Sequence, residues 1–231
     1  MKNKIVTFLC IMTILITTCI AAANSDGVQH ATNSNNQSVL IEQLYKNAYG
    51  DSITNDTNPL FPGQLRDRYV SVQNVSASTY VFIRTIFAFE AGDLTLDEFH
   101  RDFKIKMNYG DNAEWQWLNN NEWKPTRYNN KEYFVTSATY KTALAPKNTT
   151  QNSLLKFGLT TDATNETVNQ FNDSYTLMVC SQAVQADGWK IDGKNVSAEM
   201  VDMVTINRIL DKAFGEIDSG YQADWGSVTT Q

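Results

Sequence analysis

The sequence predicts a mainly β protein that forms a single antiparallel β-sandwich with a few short helices and a helical C-terminal region. Two observations lead to this prediction. Short segments rich in β-branched and aromatic residues recur along the chain and are separated by polar turns. In addition, the strands do not alternate with helices as parallel βαβ units require, which favours a packing of sheet on sheet.

Length and composition restrict the class of protein further. The chain has 231 residues, of which 42% are hydrophobic and 19% charged, and its net charge is −6. This length provides enough apolar material for a sizeable core. Because acidic residues outnumber basic ones, a nucleic-acid-binding surface is not favoured and we expect no nucleic-acid partner.

The first 23 residues predict a signal peptide. Two lysines, Lys2 and Lys4, precede an uncharged and mostly apolar run over 5–20, and three small residues, Ala21 to Ala23, follow it. The run is shorter than the roughly 20 residues of a membrane-spanning helix. We therefore expect a secreted, extracellular or cell-surface protein that has no membrane contact after cleavage. Cleavage would lower the net charge to −8.

Residues 24–58 predict a flexible polar leader that carries one apolar cluster. The cluster lies between two polar stretches and consists of Val39, Leu40, Ile41, Leu44 and Tyr45. Two interpretations remain open at this point. The cluster is either a short helix docked on the domain or a segment that mediates assembly.

Residues 59–231 are predicted to form the sandwich domain. The first strand is expected at Arg68 to Asn74, and a central strand buried on both faces is expected at Thr79 to Glu90. We expect these two strands to pair in antiparallel fashion. Thr95 and Glu98 fit a capping box that opens a short helix.

The remaining elements follow from the same patterns. Further strands are expected at 104–109, 114–118, 122–124, 132–140, 154–159 and 174–186. The spacing of Trp115 and Trp117 would place both indoles on one face of a strand, where we expect them to pack in the core. Helices are expected at 164–171 and 198–215, with Gly215 as the stop signal of the second.

The sequence contains no convincing catalytic or metal-binding motif. His100 is the only histidine in the predicted domain, and neither a His-Glu-x-x-His nor a Gly-x-Ser-x-Gly motif is present. We therefore predict no catalytic residue, no metal and no cofactor. A calcium site at Asp187 and Asp192 is a minor alternative. Cys180, the only cysteine outside the predicted signal, is expected to pack as a small hydrophobic residue.

Two motifs resemble the TasA/camelysin family of bacterial exported matrix-fibre and pilin-like proteins. The first is Pro62-Gly63, between Leu60-Phe61 and the strand that begins at Arg68. The second and more specific motif consists of Gln182, Ala183, Val184, Gln185, Ala186, Asp187 and Gly188. The resemblance extends over roughly residues 60–189.

This resemblance implies a jelly-roll or Ig-like sandwich that assembles into extracellular fibres or pilus-like filaments, as in a biofilm matrix. An N-terminal segment of one subunit would complete the sheet of the next, and the leader cluster is the candidate donor. The implied partners are further copies of the chain or other matrix proteins. A metalloendopeptidase of the camelysin type is one alternative, and a carbohydrate-binding module that uses Trp115 is another.

Overall fold

A computed structural model describes residues 13–15, 18–23, 41–51, 60–117, 122–128, 130–164, 166–167, 174–199 and 201–217. Within these residues the fold is mainly β, as predicted, and consists of two packed sheets with helices added. The strands are β1 (Thr13–Leu15), β2 (Thr18–Ala23), β3 (Ile41–Lys46), β4 (Leu65–Asn74), β5 (Val81–Glu90), β6 (Phe103–Met107), β7 (Trp115–Trp117), β8 (Lys124–Tyr128), β9 (Lys131–Tyr140), β10 (Leu154–Leu159), β11 (Ser174–Gln185), β12 (Lys190–Ile191) and β13 (Lys194–Asn195). The helices are α1 (Leu96–Asp102) and α2 (Met203–Phe214).

The two sheets differ in size. The small sheet has four antiparallel strands in the order β3-β4-β10-β6. The large sheet has seven strands: β1-β11-β5-β9-β7 form its main path, while β2 also pairs with β11 and β8 with β9. Its pairings are antiparallel except for those of β1 and β2, which run parallel to β11. A separate two-stranded hairpin consists of β12 and β13.

The main core lies between the inner faces of the two sheets. Because side chains of a strand alternate between its two faces, every second residue of β4, β5, β9 and β11 points into this core, and an irregularity after Leu154 interrupts this alternation in β10. Phe89 lies near the middle of an aromatic cluster, with its ring centroid 4.8 Å from that of Phe99 and 4.7 Å from that of Phe103. Trp115 and Trp117 are both buried in this core, as predicted.

Strand β5 is buried on both faces, which confirms the prediction for the central strand. Its inner face contacts the main core, and its outer face contributes Phe82 to a second cluster under α2. In this cluster Ile206, Ile209 and Leu210 of α2 pack on Phe82 and on the end of β11. Helix α2 is therefore a third layer on the outer face of the large sheet.

Strands β4 and β5 do not pair with each other, so this part of the prediction was wrong. They belong to different sheets, and residues 75–80 carry the chain from one sheet to the other. The buried side chain of Asn74 holds this corner, since its amide donates to the backbone oxygens of Thr79 (2.8 Å) and Leu144 (3.0 Å). Its own oxygen accepts from the backbone N–H of Ser76.

The predicted helices agree with the helices of the structure to different degrees. At α1 the Thr95–Glu98 capping box is present, as predicted. Helix α2 ends at Gly215 as predicted but begins at Met203, because the Asp202 side chain caps it by accepting from the N–H of Thr205 (2.8 Å). Most of the helix predicted at 164–171 lies outside the described residues. No helix in the described ranges has the length and apolar character needed to cross a membrane.

The Pro62-Gly63 motif forms a tight turn against the small sheet. The N–H of Gln64 donates to the carbonyl oxygen of Phe61 (2.9 Å), and Gly63 has a φ of 79°. Proline at the second position and a left-handed glycine at the third are typical of a type II turn. The turn is joined to the end of β10 by the hydrogen bond from Gly63 N–H to Thr160 O, at 2.9 Å.

Replacing Gly158 with alanine should destabilise the protein by about 2–3 kcal/mol. A Cβ atom at this position of β10 would lie 2.0 Å from the backbone oxygen of Gln64 and 2.8 Å from the Cα of Leu65. Both are backbone atoms, so the whole turn would have to move. Urea unfolding measures the loss. Lys156→Ala on the same strand is the control, with an expected change below about 1 kcal/mol, and an equal loss in both variants would contradict the argument.

Candidate assembly site

The predicted assembly cluster lies partly in strand β3, at one edge of the small sheet. Residues 41–46 pair with β4 in antiparallel register, with Ile41 opposite Asn74 and Lys46 opposite Tyr69. The docked-helix interpretation is therefore wrong for these residues. The other two members of the cluster, Val39 and Leu40, lie outside the described residues.

Strand β3 presents alternate side chains to the core between the sheets. Ile41 is buried and belongs to the main core, and Tyr45 packs against it. Leu44 lies opposite Ser71 on the outer face, so it does not share the face of Ile41 and Tyr45. The third inward residue is Gln43, which the sequence analysis did not single out because a polar residue does not fit an apolar cluster.

Gln43 connects β3 to the large sheet across the interior. Its side-chain oxygen accepts a hydrogen bond from the hydroxyl of Ser181 on β11, and its amide donates to the backbone oxygen of Val179 (3.3 Å). The same amide donates to the hydroxyl of Tyr45 at 2.5 Å. Because Gln43 and Ser181 are both buried, these contacts replace hydration that both side chains lose on folding.

Two strands within the segment predicted as a signal peptide, β1 and β2, lie along β11. Strand β1 pairs with the start of β11, and β2 pairs with its second half from Val179 to Val184. Cleavage after Ala23, as the sequence predicts, would remove both strands from this edge. An open strand edge is a template for pairing with another chain.

The second family-like motif extends from the last half of β11 into the following turn. Ala183 faces the main core, whereas Val184 and Ala186 face α2. Gln185 accepts the indole N–H of Trp189 through its backbone oxygen (2.8 Å). Asp187 accepts from the N–H of Ala198 (3.1 Å), and Gly188 has a φ of 91°. The motif therefore has a structural role at the junction of the sheet and the C-terminal region.

Gln182 belongs to a buried charged cluster that fastens α2 to the sheet. The Gln182 oxygen accepts from Arg84 Nε (2.9 Å) and Nη2 (2.7 Å). Arg84 Nη1 forms an ion pair with Asp211 of α2 at 2.6 Å, and Nη2 donates to the Gly215 oxygen at 3.0 Å. Arg84 is 3% exposed, so its charge depends on these partners for compensation.

The other candidate residues of the sequence analysis do not converge on one site. His100 is exposed on α1, while Cys180 is buried in a small apolar cluster with Ile86 and Val135, as predicted. The indole N–H groups of Trp115 and Trp117 donate to the backbone oxygens of Gln151 (2.9 Å) and Asn108 (2.7 Å). Both indole N–H groups therefore have hydrogen-bond acceptors within the domain.

The two aspartates of the calcium alternative have protein partners. Asp192 lies in the turn of the β12–β13 hairpin and forms two hydrogen bonds with Arg208 of α2, at 2.7 and 2.9 Å. These bonds and the arginine charge hold the pKa of Asp192 below its usual value. The Asp192-Gly193 pair, with φ of 52° and 77°, is a typical hairpin signal that the sequence analysis missed. In the described part of the chain, no three His, Cys, Asp or Glu side chains form a group suited to a metal ion.

One further polar contact is partly buried near the end of β9. The hydroxyl of Tyr140 donates to the carboxylate of Glu114, and the Tyr140 ring packs edge-on against Trp115 with centroids 5.1 Å apart. Burial, together with the hydrogen bond to Glu114, raises the pKa of Tyr140 well above its usual value. Tyr140 therefore stays neutral and anchors the loop before β7.

Comparisons with known proteins identify no relative. No protein-family model, no curated protein and no solved structure matches this chain.

Proposed function

We propose that this chain is a secreted structural protein that polymerises into extracellular fibres by exchanging strand β3 between copies. In the exchanged form, β3 of one copy pairs with β4 of the next copy. The partner is a further copy of the chain, and the polymer grows because each copy donates one strand and accepts another. The TasA/camelysin-like motifs support the same class of function.

The position of β3 is the observation that carries this proposal. It is an edge strand, it pairs only with β4 among the strands of the small sheet, and yet it contributes buried side chains to the core. An edge strand can leave its sheet without breaking any other strand pairing. Because Ile41 and Gln43 would then be lost from the core, the vacated edge should strongly favour an equivalent strand from another copy.

The connection between β3 and β4 is long enough for this exchange. Antiparallel neighbours are commonly joined by two to five residues, whereas residues 47–64 separate these two strands. Leu60 and the turn that follows it are packed on the small sheet, and the remaining residues 47–59 would span up to about 45 Å if extended. The same pairing is therefore possible within one chain or between two chains.

A reversible disulfide tests the proposal directly. Leu44 and Ser71 are opposite each other in the β3–β4 register, and directly paired strand residues have Cα separations within the range that a disulfide accepts. The variant Leu44→Cys with Ser71→Cys, oxidised as a monomer, should keep β3 in its own sheet. We expect electron microscopy to show no filaments from the oxidised chain and filaments after reduction.

Two controls make the result specific. Leu44→Cys alone cannot form the internal crosslink and should polymerise under both conditions. Filaments from chains whose internal crosslink is intact would show that β3 exchange is not required. A wild-type chain that stays monomeric after removal of residues 1–23 would contradict the fibre function itself.

A further inference from the structure

We infer that Gln43 is the register-determining residue of β3, and that it selects strands of this same chain as exchange partners. The consequence between copies rests on the proposed strand exchange, whereas the effect on register within one chain does not. The inference starts from a row of polar side chains that crosses the apolar interior at one level. The row consists of Gln43 on β3, Ser181 on β11 and Thr85 on β5.

The hydrogen-bond directions in this row are determined by its chemistry. The Val179 backbone oxygen only accepts, so the amide nitrogen of Gln43 must face it and the amide oxygen must face Ser181. Ser181 has a single hydroxyl proton, which it donates to Gln43. Thr85 must then donate to the Ser181 hydroxyl, at 3.2 Å. The row therefore has one consistent arrangement of donors and acceptors.

Apolar residues surround this row within each strand. On β5 the inward neighbours of Thr85 are Ile83 and Phe87, and on β11 those of Ser181 are Val179 and Ala183. Ser181 and Thr85 are each 0% exposed, so water does not compensate for a missing partner. Gln43 is thus the only inward residue of β3 with a side-chain amide that can both accept from Ser181 and donate to Val179.

A slip of β3 by two residues would retain the inward and outward faces but break this row. Ile41 or Tyr45 would then lie where Gln43 now meets Ser181. Ile41 offers no hydrogen bond at all, and the Tyr45 phenol lies farther from its backbone than the amide of Gln43. A buried polar group without a partner costs about 1–3 kcal/mol, which is enough to exclude the slipped registers.

The same free-energy cost of an unpaired buried polar group would apply if a strand of a different protein took the place of β3. A strand that offers only apolar side chains at the three inward positions would bury a similar apolar surface but leave the Ser181 hydroxyl proton without its acceptor. A second copy of this chain provides glutamine at the required position. Buried polar residues specify register and partner in a comparable way in coiled coils.

Cysteine pairs measure the register directly. In the full chain with Cys10, Cys19 and Cys180 replaced by alanine, the pair Leu44→Cys with Ser71→Cys reports the observed register. The pair Glu42→Cys with Ser71→Cys reports a slip by two residues. With Gln43 present, we expect crosslinking of the first pair only. With Gln43→Leu, we expect the yield of the second pair to rise at least about tenfold.

Additional variants separate register from folding. Lys46→Leu changes an outward residue of β3 and should leave the crosslinking pattern unchanged. If Gln43→Leu alone prevents pairing, Gln43→Leu with Ser181→Ala replaces two bonded polar groups by apolar ones and should restore it. We expect both registers to crosslink in this double variant. Crosslinking of the 44–71 pair alone, in both the single and the double variant, would overturn the inference.

Gel mobility distinguishes this inference from the proposed function. When the chains are oxidised under polymerising conditions, crosslinks within one chain leave a monomer band, whereas crosslinks between chains give a ladder. A monomer band with the predicted change in register would support the role of Gln43 and contradict the exchange of β3. A ladder without any change in register would support exchange and contradict the role of Gln43.

Discussion

Replacing Phe89 with alanine should lower the free energy of unfolding by about 3–5 kcal/mol, the largest effect that we expect from a single substitution. Phe89 is 0% exposed. Its ring packs on residues from both sheets and from α1, with centroid distances of 4.8 Å to Phe99, 4.7 Å to Phe103 and 6.0 Å to Tyr175. Truncation therefore removes buried apolar surface and aromatic contacts. It also leaves a cavity that the neighbouring rings cannot move in to fill.

Urea unfolding of matched phenylalanine variants tests this prediction. Phe61→Ala removes the same atoms from a ring that is 46% exposed, and it should change the stability by no more than about 0.5 kcal/mol. Phe89→Leu retains most of the volume and should cost about 1 kcal/mol, which provides a measurement if Phe89→Ala does not fold. Equal losses at positions 61 and 89 would show that the aromatic cluster is not the centre of the core.

Replacing Asp211 with alanine should destabilise the protein by about 3 kcal/mol. The substitution leaves the Arg84 charge buried without Asp211, while neutral acceptors such as the Gln182 oxygen and the Gly215 carbonyl remain. The expected loss is at the lower end of the range for broken buried ion pairs because the Asp211 side chain is 32% exposed. Since Arg84 joins the sheet to α2, hydrogen exchange in α2 should also become faster.

A second ion pair provides the control. Arg208 and Asp192 are 49% and 71% exposed, and Arg208→Ala should change the stability far less than Asp211→Ala does. The double variant Arg84→Met with Asp211→Leu removes both charges but also the donor to the buried Gln182 oxygen, so it should recover part of the stability lost in Asp211→Ala. If this double variant is less stable than Asp211→Ala, the ion pair stabilises the protein by more than the free energy that its burial costs. That result would contradict the prediction.

The local elements were largely predictable because their signals lie within a few residues. The run from Val81 to Phe89 is almost continuously apolar, and a run of this kind predicts burial on both faces of the strand. The Thr95–Glu98 capping box and the Gly215 stop are also short-range signals, and both are present. The Asp192-Gly193 pair is likewise a short-range signal, in this case for a hairpin turn, but this turn was not predicted.

The candidate site was predictable only in part. Ile41 and Tyr45 were recognised because they are apolar residues in a polar leader. Gln43 was not predicted as part of the site. The sequence does contain one polar residue at an inward position of each of three strands, namely Gln43, Thr85 and Ser181. These residues are up to 138 positions apart, and the pattern acquires meaning only when the three strands face one interior.

The sequence by itself determined the fold class, because the period-two alternation of apolar residues and the turn residues act within single strands. It also determined that an apolar segment precedes the domain. Only the tertiary structure decided that β4 and β5 belong to different sheets, because the Asn74 corner depends on the distant carbonyl of Leu144. It likewise decided that Arg84 meets α2 and that Gln43 meets Ser181. Such contacts depend on how strands far apart in sequence are arranged, which no local pattern specifies.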